Sequence, residues 1–416
     1  EEISDCCFSE CRAFPAVKLP STLKRIGEKA FNYCISFTEV EIPDAVVEIK
    51  DSAFYQCETL QKVTLSASLE KYGYKVFSGC KLLEEIIVSP KNEHFKDIEG
   101  VMYSKDEKTL VDFPYGRYKK DIVFNDNVRN VRAYSFYRDF DGTGENDFDN
   151  IETVDFNKVE KIGAYAFANR NAIKAVNLPS TLKEYSPSAF YYCQKIEKYT
   201  IKDCDAYTVQ DDVLFTKDKK TVVAYPTNRE KHSFKIPDGT ENLGDYAFSY
   251  CISLHEIELP DSLVTLGDYC FYMTSTLCGA LNFGKNLKSI GKYCFSNCAG
   301  IEEITFTDNT ITEIPEGAFK ILDGTYEFII PEGVSVVHKS AFSHCEFLKN
   351  IVLPATVTEF PHDAIMFCNS LQGISIDENN PTSKRNHHIQ VQCQVQHVQH
   401  LAASHPPQGG DRRFTI

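Results

Sequence analysis

The chain has 416 residues, 43% of them apolar, and its 44 basic against 59 acidic side chains give a net charge of -15. That balance excludes nucleic acid as a general partner, because phosphate binding needs a basic footprint, and it disfavours an anionic membrane surface. No apolar run approaches the roughly 20 residues needed to cross a bilayer, so no membrane insertion is expected.

From the first residues onward one pattern recurs. Phe8, Phe31, Phe54 and Phe77 stand 23 residues apart, and each is followed three places later by a cysteine: Cys11, Cys34, Cys57 and Cys80. Self-similarity at such a period marks a solenoid, in which each coil touches only its neighbours and stacking supplies the core. Thirteen copies can be aligned, anchored at Phe8, Phe31, Phe54, Phe77, Phe136, Phe167, Phe190, Phe248, Phe271, Phe295, Phe319, Phe342 and Ile365. After each anchor apolar residues recur at fixed offsets, as in Phe37, Val40 and Ile42 or Leu254, Ile257 and Leu259. The last two of each set alternate like a strand, and a proline such as Pro43 or Pro260 often stops it. A second short apolar pair follows (Val46 and Ile49), then often a glycine bend, as at Gly27, Gly163, Gly267 and Gly291. The turn carrying the anchor reads as a brief helix. Thirteen coils at ~4.8 Å each predict a scaffold on the order of 60 Å long.

Nine of the sixteen cysteines occupy the position after the anchor, and Asp139, Arg170, Thr274 and Leu322 replace it in the other four copies. Strands stacked ~4.8 Å apart do not suit a disulfide, whose Cβ atoms want ~3.8 Å. Free, buried ladder thiols are therefore expected. Cys270 and Cys294 take the small slot before the anchor, while Cys6, Cys7, Cys204, Cys278 and Cys393 fall outside the pattern and are the expected reactive thiols.

Two insertions interrupt the array at about 90–120 and 203–235, and they match each other. Both VMYSKDEKTLVDFP from Val101 and VLFTKDKKTVVAYP from Val213 read as a β-hairpin: apolar run, charged turn, apolar run, proline. The solenoid is predicted over residues 1–383. Residues 384–416 form an atypical His- and Gln-rich tail. His387, His388, Cys393, His397 and His400 are zinc ligands by type, but their spacing fits no closed site. The chain lacks an initiator Met and begins inside a repeat, which reads as a mature or excised fragment.

The segments LPSTLKRIGEKAFNYC, LPSTLKEYSPSAFYYC and IPDGTENLGDYAFSYC resemble the BspA-like leucine-rich repeats, over residues 1 to about 380. The resemblance implies a right-handed superhelix of short β-strands with brief helical turns. It also implies a secreted or cell-surface location, bacterial or protist, and adhesion to host extracellular proteins as the better-known members' role.

The outward residues of the main strands are the default binding face of such an array. They include Glu39, Glu41, Lys62, Glu85, Lys198, Glu256, Glu258 and Glu303, a mixed face that leans acidic and carries no aromatic row for stacking sugars. An ordinary solvated face is the plain alternative. A second candidate is DFDGTGENDFDN, where Asp139, Asp141, Thr143, Glu145 and Asp147 would offer oxygens to calcium, with Gly144 at the turn. Its twelfth position is Asn150 rather than a bidentate Glu, and a solvated acidic loop is the alternative. Catalytic motifs are absent. The histidines His94, His232, His255, His338, His344 and His362 fall at different repeat phases, so no enzyme is expected. The function read from the sequence is a cell-surface protein-binding scaffold with an extracellular-matrix or plasma protein as ligand. The hairpin tips at Lys105 to Lys108 and Lys217 to Lys220 would tune the contact. The alternatives are a spacer displaying another domain, and an intracellular regulatory repeat protein if the thiols stay reduced.

Overall fold

A computed structural model describes residues 1–14, 17–139, 151–308 and 310–376. Each coil contributes one main strand and one two-residue strand to separate parallel ladders. Glu39–Glu41, Lys62–Leu65 and Glu85–Val88 pair in register, so Glu39, Lys62 and Glu85 share one row. Arg25–Ile26, Glu48–Ile49 and Lys71–Tyr72 form the short ladder on the other side of the coil. Alternation puts Val40, Val63 and Ile86 inside and the charged neighbours outside.

The anchor turn is not a helix. In most coils the residues two before and two after the anchor take a left-handed backbone, as at Lys29 and Tyr33 (φ 51 and 58) or Tyr246 and Tyr250 (φ 55 at both). A left-handed residue every four positions breaks a helix. The N–H groups instead bond across coils: Phe31 donates to Ala53 and Phe54 to Val76, at 2.8 and 3.0 Å. Among the described residues the one helical element is a 3-10 turn, His362–Ile365.

This turn stacks the anchors face to face. Phe8, Phe31, Phe54 and Phe77 lie 5.2, 5.1 and 5.4 Å apart, and Phe248, Phe271 and Phe295 repeat the arrangement at 5.0 and 5.1 Å. The cysteine three places later donates its thiol hydrogen to the anchor carbonyl of the preceding coil: Cys57 to Phe31 at 3.1 Å, Cys193 to Phe167 at 3.1 Å, Cys368 to Phe342 at 3.0 Å. Where the cysteine is missing, Thr274 reaches the Phe248 carbonyl at 2.5 Å and Arg170 reaches that of Phe136 at 2.7 Å. A hydroxyl or a guanidinium can thus replace the thiol, while Leu322 fills the position with an apolar side chain.

The insertions are woven into the array. Phe95–Ile98, Val101–Ser104 and Thr109–Asp112 form an antiparallel meander whose last strand pairs in parallel with Asn130–Val131. Tyr207–Gln210, Val213–Thr216 and Thr221–Ala224 repeat this next to Asn242–Leu243. Each meander ends on an aromatic in the anchor slot, 23 residues before the next anchor. Phe113 stacks on Phe136 at 4.7 Å, and Tyr225 on Phe248 at 5.1 Å. The hairpins therefore begin two coils that the alignment of anchors had omitted. They also part the interior into three clusters of buried side chains, with Met102 and Val111 in the first and Val101, Leu110 and Phe113 in the second.

Candidate functional site

All eight acidic and basic residues predicted on the main strand face are exposed there. They do not form one site. Glu39, Glu41, Lys62 and Glu85 lie in the first sheet, Lys198 beside Ala175 in the next, and Glu256 and Glu258 beside Ser233 and Lys235. Glu303 sits in a further sheet, next to Ala280. Much of the face satisfies itself: Thr153 donates to Asp121 at 2.6 Å, Thr200 to Asn177 at 2.7 Å, Asn350 to Glu327 at 2.7 Å, and Lys235 pairs with Glu258. On the same strand set Val123 and Ile329 stand 66% and 58% exposed, an apolar component of the face.

Of the five predicted calcium ligands, Asp141, Thr143, Glu145 and Asp147 lie outside the described residues, as does the tail from His387 to His400. Asp139 is described and faces inward. It is 6% exposed and accepts a hydrogen bond from the Tyr55 hydroxyl at 2.9 Å. Burial raises its carboxyl above the ordinary value, while Tyr55 and the Lys75 ammonium pull it back. The hairpin tips are also partly committed. Lys105 donates to the Asn92 carbonyl at 2.5 Å and Lys217 to that of Cys204 at 2.7 Å, while Lys220 pairs with Glu241 at 2.7 Å. Cys204, expected to be reactive, is buried and donates to the Leu182 carbonyl at 3.2 Å. Burial likewise pushes the ladder thiol of Cys34 up to about 12, far from the thiolate range that nucleophiles need.

Three features emerge only in three dimensions. The first is a tyrosine edge on the turn side. Tyr134, Tyr165, Tyr246, Tyr269 and Tyr293 each precede an anchor by two residues, a spacing that was open to a sequence search. Tyr246 stacks on Tyr269 at 5.0 Å, and Tyr269 on Tyr293 at 5.2 Å, with planes within 12°. Faces stacked on each other leave ring edges outward, so this row offers no platform to a sugar ring.

The second feature is a pair of grooves between the short strand and the bend. One, of about 280 Å³, is lined by Glu28, Glu48, Lys50, Asp51 and Lys71. The other, of about 670 Å³, is lined by Lys292, Glu313, Glu316, His338, Lys339 and Glu359. In six of the thirteen aligned coils a glycine closes this bend, and a Cβ on Gly291 would sit 2.3 Å from the Gly267 backbone. The larger groove opens where Pro315, His338 and Pro361 take the glycine's place. It is a mixed-charge concavity whose members already pair, Glu313 with His338 at 2.8 Å and Glu316 with Lys339 at 3.1 Å.

The third feature corrects the reading that the histidines share no phase. His232, His255 and Cys278 are 23 residues apart. The His255 N–H donates to the His232 carbonyl at 2.8 Å and the Cys278 N–H to that of His255 at 3.0 Å, so the three occupy one row. All three are exposed. Among the described residues no group of three or more His, Cys, Asp or Glu side chains is placed to hold a metal ion.

Comparison with known proteins agrees with this architecture. The family profile of the BspA type leucine rich repeat region matches in overlapping segments, 1–139, 112–203, 144–232, 222–321 and 275–390. The chain is similar to a leucine rich cell surface protein of Faecalibacterium prausnitzii, at 25% identity and a TM-score of 0.51, covering 90% of this chain and 87% of that one. It is also similar in fold to a leucine-rich repeat protein of Eubacterium ventriosum, at 19% identity and a TM-score of 0.56, covering 83% and 80%. No curated protein matches the chain. Among the described residues no helix is long and apolar enough to cross a membrane. With its 23-residue coils, anchor stack and cysteine ladder, the chain belongs to the BspA-type leucine-rich-repeat family.

Proposed function

We propose that this repeat scaffold acts at a cell surface and binds a protein ligand along its main strand face, in adhesion to extracellular-matrix or plasma proteins. The observation that carries this reading is the face itself: an in-register row of exposed charge, Glu39 with Lys62 and Glu85, and exposed apolar Val123 and Ile329 on main strands further along the chain. Charged rims around apolar contacts suit a wide, shallow protein interface. The similarity to a bacterial cell surface protein supports the location. The spacer reading draws its support from the same face, because pairs such as Thr200 with Asn177 and Asn350 with Glu327 satisfy its polar groups without a partner.

The two readings separate in a binding assay against immobilised matrix and plasma proteins at physiological salt. As an adhesin the chain shows saturable binding, and reversing Glu256, Glu258 and Glu303 to Lys weakens it by tenfold or more with an unchanged melting temperature. The size follows from a few exposed but interface-bound charges, each on the order of 0.5–1 kcal/mol. A blank panel, or binding indifferent to the triple reversal, rejects the strand-face site.

A further inference from the structure

We propose that the larger groove, between the short strands and the bends of the last coils, binds a short extended peptide with free termini, its ammonium on Glu359 and its carboxylate on Lys292. The case starts from the bend. Four residues before the anchor, a glycine lets successive coils close on each other, and a Cβ on Gly267 would sit 2.4 Å from the Asp245 backbone. Beyond Gly291 that place is taken in three successive coils by Pro315, His338 and Pro361. Their side chains cannot approach the coil before so closely, and a concavity of about 670 Å³ opens along them. That volume is in the range of pockets that enclose a small ligand.

The lining sorts by chemistry. Pro315, Val336, Phe360 and Pro361 make an apolar floor. On the rim Glu313 is matched by His338, and Glu316 by Lys339 and by the Tyr293 hydroxyl at 2.9 Å. Two charges are left over. Lys292 and Glu359 are both exposed, and among the described residues neither side chain is held in an ion pair. They mark opposite ends of the groove: Glu313, Val336 and Glu359 follow one another along the short ladder, and Lys292 lies one coil before Glu316. Lys292 is thus three rungs from Glu359, about 14 Å at a strand spacing of ~4.8 Å. An extended chain covers ~3.3–3.6 Å per residue, so about four residues bridge that gap. A peptide of this length carries one ammonium, one carboxylate and apolar side chains between them, which is the complement of the groove. The opposed end charges also set its direction. No residue of the main strand face takes part, so the site stands or falls separately from adhesion.

The test titrates the tetrapeptide Val-Ala-Ala-Val into the full chain by calorimetry, to about 10 mM. Saturable binding of one peptide per chain is expected. Acetylating its amino end, or amidating its carboxyl end, should each weaken binding about tenfold, the scale of a hydrogen bond between charged groups. Glu359→Gln and Lys292→Met change exposed side chains, so each should weaken the free peptide to the same degree with an unchanged melting temperature. The decisive comparison crosses the two series. Glu359→Gln should cost the acetylated peptide nothing further, and Lys292→Met should cost the amidated peptide nothing further. Absence of saturable binding overturns the site. So does binding that survives both blocked ends, or that is indifferent to both variants, since the peptide would then sit elsewhere on the chain.

Discussion

Two residues past every aligned anchor but Phe136 the backbone is left-handed whatever side chain sits there. Tyr33, Gln56, Asn169, Tyr250, His344 and Phe367 all have φ between 55 and 64, and Gly79 has 76. The stacked coils impose the conformation, because the anchor N–H groups and the ring stack fix the turn on both sides. Ile321, at φ 55, is the least suited occupant, since a β-branched side chain crowds its own backbone there. Its N–H still bonds the Ser343 carbonyl at 3.0 Å, so the backbone has no reason to move on substitution. Ile321→Gly is therefore expected to stabilise the chain by about 1 kcal/mol. A denaturant midpoint equal to or below the parent's would show that the side chain's packing outweighs the strain. The donor ladder makes a related point about residue identity. Cys193 and Thr274 do the same work on the anchor carbonyl of the coil before, so a hydroxyl can stand in for the sulfur, while buried Leu322 fills the same position with no donor at all.

At the scale of the element, the two meanders share a plan but are fastened differently. In the first, Asp112 closes the last strand and accepts a bond from the Tyr72 hydroxyl at 2.5 Å, beneath the Arg132 guanidinium that stacks on Tyr72 and Tyr74 at 5.7 and 4.4 Å. In the second, Ala224 holds the corresponding place. Burial pushes the Asp112 carboxyl up from 3.8 to about 7, against the pull of Tyr72 and Arg132. The folded chain thus keeps a proton that the unfolded chain has released between those two values. The stabilisation is fully present below the unfolded value and is lost as pH rises through about 7. The melting temperature should fall between pH 5 and pH 8 by more in the parent than in Asp112→Asn, which cannot titrate. Parallel pH profiles for the two proteins would remove Asp112 from the account.

For the whole molecule, the meanders divide the interior into three clusters, yet the turn edge runs on across both divisions. Tyr74 meets Tyr134 at 5.7 Å over the first, although 60 residues separate them in sequence. Over the second, the Tyr165 and Tyr246 hydroxyls are 3.2 Å apart, and those of Tyr191 and Tyr250 are 2.8 Å apart. Burial raises all three of Tyr191, Tyr246 and Tyr250 above the usual phenol range, which keeps them neutral and hydrogen-bonded. In a stack that behaves as a line of neighbour couplings, a seam of this kind decides whether adjoining runs unfold together. Replacing both Tyr191 and Tyr250 by Ala should split one calorimetric transition into two, the loss amounting to roughly 3–5 kcal/mol per buried ring at most. A single transition moved to lower temperature would mean that the meander alone couples the runs.

The repeat period, the anchors and their inward direction, the inward and outward faces of the main strands and the two hairpins were all readable from residue order, because a solenoid repeats one local environment and the same offsets recur. The family could be named from the same offsets. The turn could not be read as a pair of left-handed residues, since Ala-Phe neighbours suit a helix and only the bonds to the next coil exclude it. Nor could the roles of Phe113 and Tyr225, which look like hairpin ends until they stack on Phe136 and Phe248. The same holds for the inward turn of Asp139 and the row of His232, His255 and Cys278. Spacing alone placed their residues, but burial and neighbours belong to the surface that stacked coils make together.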